Sequence, residues 1–400
     1  MQALSRSVSR IGSVLPRRDM GAMTVDDQLR GVLRKGFSPD TVNVSVVGAG
    51  AMGLWVANKF KAFNPNIVSR SASQFNVNGQ PLRLPVYSGL DALPFSTQHF
   101  HVLHVCTLLH ELPDLASQLS RHGWDRPNVL TVLVANGWRP EQAMCDGARK
   151  GPLARFIARV GVTSGASFGA QRSVDIRFEK HNQLTLVPES MGRFRYLHEQ
   201  IADQYVDYLT NQGVQCDLID YDQASDQSRD KAINNVQNLV CVIEALRRWS
   251  CVDVETNPSK FAYNEGLGLE YSLKLTQLLV TEILRLTDQV SRVDGALLSQ
   301  KVAMSLAYAE SDHVSSTNQG LASNRVVEDL AQQWVDLAIN TDQEAPVFHQ
   351  QISELIQSWN QVASSSTLSE RLVHSGAVSE CLSDIFGRLT HEGSSGMTSC

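Results

Sequence analysis

The chain has 400 residues, 42% hydrophobic and 19% charged, with a formal net charge of −6 and a pI near 6.0. That length accommodates two domains with a core each, and the composition excludes global disorder. The mildly acidic balance gives no broad basic field for nucleic acid, the seven cysteines lack any metal-ligand spacing, and no apolar run reaches the length of a membrane span.

The first stretch, "MQALSRSVSRIGSVLPRR", holds four arginines, four serines and no acid, and Leu4, Val8, Ile11 and Leu15 recur at helical spacing. A basic amphipathic helix of this kind reads as a mitochondrial transit peptide over residues 1–24, with a disordered basic tail on a cytoplasmic protein as the alternative. The folded part is expected to begin at Asn43. There "NVSVVGAGAMGLWVANKFKAF" runs from a β-rich strand through a glycine turn into a helix, and "NIVSR" follows as a second strand. "FNVNGQPLRLPV" predicts a hairpin around Asn78-Gly79, and "FHVLHVCT" and "NVLTVLVAN" predict strands buried on both faces, separated by the helical "ELPDLASQLSRH". Alternating strands and helices imply a parallel sheet. "DIRFEKHNQLTLVPE" alternates as an antiparallel hairpin would, "RYLHEQIADQYVDYLTNQG" is an amphipathic helix closed by Gly213, and "VQCDLI" is the last strand.

From residue 224 to 365 the pattern is helical. The expected organisation is therefore a Rossmann-type α/β dinucleotide-binding domain over 43–220, an all-α domain over 224–365, and a serine-rich, partly disordered extension over 366–400 with one short helix.

Gly48, Gly50 and Gly53 form G-x-G-x-x-G directly after a strand and at the mouth of a helix. The first glycine permits the tight turn, the second lets a pyrophosphate approach, and the third lets helix pack on strand; Ala51 and Met52 complete the loop beside the phosphates. The second strand ends in "IVSRSAS", which offers Arg70 and no carboxylate. A guanidinium flanked by serines suits a 2′-phosphate, so NADP(H) is the expected cofactor.

In "SRDKAINNVQNLV", Lys231, Asn235 and Asn238 share one helical face. Such a stripe is often merely solvated. Behind a dinucleotide fold, however, K-x-x-x-N suggests a carbonyl reductase in which the cofactor supplies hydride and Lys231 the proton.

Here the sequence resembles the 2-dehydropantoate 2-reductase (ketopantoate reductase) family, within the wider group that shares the helical domain of 6-phosphogluconate dehydrogenase. The resemblance spans residues 43 to 360 and is carried by "VVGAGAMG", the "ANG" at Ala135 to Gly137, "KAINN" and "HVSSTNQGLASNRVVED". It implies Lys231 as general acid with Asn235 one turn later, and Asn136 holding nicotinamide and lysine in register. It further implies Ser316 on the substrate carboxylate, Glu328 on the reacting oxygen, and His313 on the substrate helix where the family usually has asparagine. Other departures are Leu109 in place of a cofactor-side lysine, "TSGASFG" at Thr163 to Gly169, and Val327 in place of a threonine.

The implied activity is NADPH-dependent reduction of a small branched 2-oxo acid, most readily 2-dehydropantoate to (R)-pantoate, by a protein for which a homodimer is allowed but not dictated. A 3-hydroxyacid dehydrogenase, which K-x-x-N through Asn234 would also satisfy, and a non-catalytic dinucleotide-binding sensor remain open.

Overall fold

The computed structural model describes residues 24–70, 72–96, 98–147, 151–164, 171–251, 269–287, 321, 327 and 329–395. In chain order these form α1 (Val25–Lys35), β1 (Val42–Val47), α2 (Ala51–Lys59), β2 (Asn66–Val68), β3 (Gln74–Val77), β4 (Gln80–Leu82), β5 (Val86–Tyr87), β6 (Phe100–Val105), α3 (Leu112–Arg121), β7 (Val129–Leu133) and α4 (Pro140–Asp146). There follow β8 (Leu153–Ile157), β9 (Val160–Ser164), β10 (Gln171–Glu179), β11 (Asn182–Leu186), α5 (Arg195–Asn211) and β12 (Cys216–Leu218). The remaining elements are helical: α6 (Tyr221–Asn234), α7 (Val236–Cys251), α8 (Leu269–Leu286), α9 (Gln332–Asn340), α10 (Val347–Ser364) and α11 (Leu368–Ser395). Among the described residues no helix is long and apolar enough to cross a membrane.

The main sheet has the order β12-β11-β8-β7-β6-β1-β2-β5, parallel from β5 through to β8. From β1 the chain winds outward to β2 and β5, then returns to place β6 on the other flank of β1. That reversal opens a crevice at the carboxyl ends of β1 and β6, where open α/β sheets bind their ligands. The central strands β6 and β7 are buried along their whole length, as two-sided coverage by helices requires. A Rossmann-type sheet followed by a helical region is the fold class expected.

Three expectations need correction. The fold does not begin at Asn43: α1 precedes it, capped by the Thr24 hydroxyl, which accepts from the Asp27 amide at 3.1 Å. Leu29 and Val32 of α1 are fully buried in the main core, yet only a narrow stripe of "VDDQLRGVLRK" is apolar, which hides the helix in a composition-based reading.

The hairpin expected over "DIRFEKHNQLTLVPE" does not form. β10 pairs with β9 and β3 in a small second sheet of order β4-β3-β10-β9, whereas β11 joins β8 and β12 in the main sheet. Residues Asn182 to Thr185 are all buried, whereas in β10 Val174 alone is buried, so the two segments suit different sheets. By contrast, Asn78 and Gly79 take positive φ of 50° and 73° and close the β3–β4 hairpin.

Lastly, residues 368–395 are one continuous helix rather than a connection with a short helix. Val378, Leu382, Ile385 and Leu389 recur at helical spacing and are buried against the helical core, with α11 packed on α10 and α7.

Candidate active site

At two of its three glycines the loop is shaped by contacts that leave no room for a side chain. Gly48 has φ +99°, and a Cβ there would lie 2.7 Å from the Cys106 carbonyl oxygen; one on Gly53 would lie 1.8 Å from the Gly48 carbonyl oxygen. A Cβ on Gly50 would meet nothing within 4 Å. The outer two glycines thus serve packing, and the middle one faces open space at the N-terminus of α2, which no side chain caps among the described residues. Ala51, Met52 and Gly53 form the first turn of that helix, an arrangement suited to an anion.

Beside this loop lies a cavity of about 570 Å³ whose wall includes Gly48, Gly50, Arg70, Thr107, Glu111 and Arg172. It has the features a dinucleotide requires. The Thr107 hydroxyl is buried with no hydrogen-bond partner among the described residues, and the Arg172 guanidinium donates to the Ala49 carbonyl at 3.1 Å. Arg172 comes from β10, the strand whose Glu179 accepts hydrogen bonds from Trp55 Nε1 at 2.7 Å and Lys59 Nζ at 2.9 Å on α2. The second sheet therefore grips α2 and also presents a cation to the loop before it. At the other end, Arg70 Nη2 is 2.9 Å from Glu111 Oε1. Burial pushes the Cys106 thiol far up, which leaves that part of the wall uncharged at neutral pH.

Asn136 is exposed just beyond the carboxyl end of β7, and Gly137 turns the chain at φ +103°. The turn is held from three sides. Buried Arg155 on β8 donates to the Gly137 carbonyl at 2.6 Å, Gln333 Oε1 on α9 accepts from the Trp138 amide at 2.7 Å, and Trp138 stacks on Trp334 with centroids 5.4 Å apart. A Cβ on Gly137 would lie 3.0 Å from Leu109 Cδ2, so the residue standing where the resemblance expects a lysine packs against the turn as an apolar wall. Burial lowers the Arg155 guanidinium, opposed by Glu141, whose second oxygen lies 3.7 Å away, in ion-pair range but beyond a hydrogen bond.

Lys231 is half-buried on α6, and its ammonium donates to the Ala158 carbonyl at 2.8 Å. β7 and β8 are parallel with Leu133 opposite Arg155, so three more residues on each bring Asn136 and Ala158 to the same level. Asn235 sits at the junction of α6 and α7. Its amide bonds back to the Lys231 carbonyl at 2.9 Å, and its side-chain Nδ2 is buried without a partner among the described residues.

Along the carboxyl edge of the sheet the order is therefore Arg70 after β2, the glycine loop after β1, Thr107 after β6, Asn136 after β7, and Ala158 with Lys231 after β8. Three strand spacings separate the glycine loop from Ala158, about 14 Å. Gly48, Gly50 and Arg70 share the cavity wall, whereas Lys231, Asn235 and Asn136 do not line it, and Asn136 and Lys231 lie further along the edge. His313, Ser316 and Glu328 fall outside the described residues.

Arg172, Glu111, Thr107 and Gln333 were not singled out from the sequence. Each reaches the site from an element distant in the chain, and no local motif surrounds it.

No protein-family model matches the sequence, and no curated protein matches it either. Solved structures of similar fold include D-mandelate dehydrogenase in a ternary complex with NADH and anilino(oxo)acetate (TM-score 0.57, 14% identity, 80% of this chain and 99% of that one). The ketopantoate reductase of Ralstonia eutropha gives a TM-score of 0.56 at 15% identity over 81% of this chain and 100% of that one. A dimeric ketopantoate reductase from Staphylococcus aureus gives 0.52 at 12% identity over 80% and 99%. The likeness shows the fold: a Rossmann-type sheet followed by a helical region, as in 2-dehydropantoate 2-reductases and D-mandelate dehydrogenase.

Proposed function

We propose that the chain is an NAD(P)H-dependent reductase of a small branched 2-oxo acid, with 2-dehydropantoate as the first substrate to test and (R)-pantoate, a pantothenate precursor, as its product. The observation that carries the reading is the sequence of groups along the carboxyl edge: a cation for the adenosine ribose, a glycine loop at a helix N-terminus, an asparagine turn, and an ammonium at the next strand. A bound nicotinamide dinucleotide supplies the hydride. Arg70, taken alone, supports NADPH as a form used.

The chain's own residues bind and protonate. The open face of Gly50, the start of α2 and Arg172 receive the pyrophosphate, while Asn136, on the turn whose Gly137 carbonyl and Trp138 amide are held by Arg155 and Gln333, keeps the far end in register. Lys231 gives its proton to the ketone oxygen as negative charge develops there, and the Ala158 carbonyl steadies the ammonium meanwhile. The Asn235 side-chain N–H, buried and without a partner among the described residues, is directed to the same oxygen. His313 and Ser316 are assigned to the substrate and Glu328 to the reacting oxygen by the resemblance alone.

The mandelate dehydrogenase complex supports a site open to larger 2-oxo acids, so a substrate panel is needed. A homodimer, supported by the dimeric reductase of similar fold, and mitochondrial import through residues 1–24 complete the proposal.

The test is steady-state reduction of 2-dehydropantoate and related 2-oxo acids by the purified chain, with Lys231→Ala beside it. The variant should lose about 10²–10⁴-fold in kcat and retain its nucleotide affinity. An inactive wild-type chain, or an undiminished variant, overturns the reading.

A further inference from the structure

Given the nucleotide site proposed above, we infer that Arg70 and Glu111 act together as a two-charge selector at the adenosine ribose, so that the cavity accepts both the 2′-phosphate of NADPH and the free 2′,3′-diol of NADH. By sequence, the end of β2 carries a cation and no carboxylate, which taken alone points to the phosphorylated cofactor. The fold supplies the missing carboxylate from elsewhere. Glu111, in the turn that leads into α3, lines the same cavity, with one oxygen 2.9 Å from Arg70 Nη2 and the other accepting from the Leu108 amide at 3.4 Å.

The two side chains differ in freedom. Arg70 is 84% exposed and Glu111 30%, so the arginine can swing while the carboxylate is tethered by its own backbone neighbour. An exposed ion pair of this kind is weak and readily exchanged. For a free diol, Glu111 is an acceptor for two hydroxyls, and Arg70 remains paired beside it. For a 2′-phosphate, Arg70 turns from Glu111 to the phosphate and forms charge-assisted bonds, but Glu111 stays as a like charge in the same cavity. Gain and repulsion oppose one another, and neither cofactor is strongly excluded.

Dissociation constants for NADPH and NADH, read from nicotinamide fluorescence on the full chain, test this. The wild-type constants should fall within about tenfold of each other, the scale of one uncompensated charge contact. Glu111→Gln retains an acceptor for the Leu108 amide and should tighten NADPH about fivefold while weakening NADH. Arg70→Gln should weaken NADPH about tenfold and leave NADH within about twofold. A Glu111→Gln ratio unchanged from wild type, or an Arg70→Gln loss shared equally by both nucleotides, overturns the selector while leaving the proposed reductase intact. Failure of the wild-type chain to bind either nucleotide overturns the proposed function and the selector with it.

Discussion

The Tyr221 hydroxyl, on the first residue of α6, donates to Glu141 Oε1 across 2.9 Å and so ties the helix that carries Lys231 to the segment following the Asn136–Gly137 turn. Glu141 in turn faces Arg155, and Arg155 holds the Gly137 carbonyl. Burial, with the Glu141 charge second, pushes the Tyr221 hydroxyl well up, so it remains a donor at any working pH. The chain Tyr221–Glu141–Arg155–Gly137 thus joins the element bearing the ammonium to the turn bearing the amide.

Removing the cation from that chain should be costly. Arg155→Met strands a buried carboxylate and an unpaired carbonyl, a loss of about 3–5 kcal/mol. Tyr221→Phe removes one hydrogen bond to a charged group, about 1.5–3 kcal/mol. Urea denaturation of the two single variants and the double variant checks both, and strict additivity would show that the residues do not act as one network.

The glycines of the loop should separate into two kinds. Gly53→Ala sets a methyl against the Gly48 carbonyl and should lower the folded yield and the melting temperature, because backbone rather than a flexible side chain must move. Gly50→Ala places its methyl in open space, so its stability should stay within about 0.5 kcal/mol of wild type while nucleotide affinity falls. A thermal melt alongside a nucleotide titration distinguishes them, and equal behaviour of the two variants would refute the assignment.

Arg172→Gln should weaken NADH and NADPH alike by roughly 10–100-fold, the range of a charge-assisted contact. Adenosine, which lacks a pyrophosphate, should bind both forms equally. Loss confined to NADPH would place this arginine at the ribose and contradict its position beside Ala49.

Local patterns carried much of the architecture. Gly48, Gly50 and Gly53 were legible because the loop, its strand and its helix are contiguous, and Asn78-Gly79 because a two-residue turn states its own geometry. What escaped depends on contacts between distant segments. Whether β11 belongs with β10 or with β8 is decided by which sheet can bury Asn182 to Thr185, and nothing inside "DIRFEKHNQLTLVPE" records that. Glu111 reaches Arg70 across 41 positions of chain, and Gln333 reaches Trp138 across 195. Gly48, Gly50 and Arg70 line one cavity, and the charges that surround them, Glu111 and Arg172, are what no local pattern announces.

Acid sensitivity should follow from the buried histidines of β6. His104 is fully buried with Nε2 2.9 Å from the Tyr205 hydroxyl, and burial lowers it from 6.5 to about 3; His101 is lowered for the same reason. Above pH 6.5 the folded and unfolded chains are both neutral at these positions, and the stability is fully present. Below it the unfolded chain takes up protons that the folded chain excludes, so stability is lost progressively as pH falls from 6.5 towards 3. Each such proton contributes a slope of about 1.4 kcal/mol per pH unit. Urea midpoints at pH 7.5 and 5 should differ accordingly, and His104→Gln, which cannot take up the proton, should flatten the difference by one proton's worth. A variant as acid-sensitive as wild type would mean that His104 carries charge in the folded protein and that the Phe60–Tyr205 cluster around it is wetter than its packing indicates.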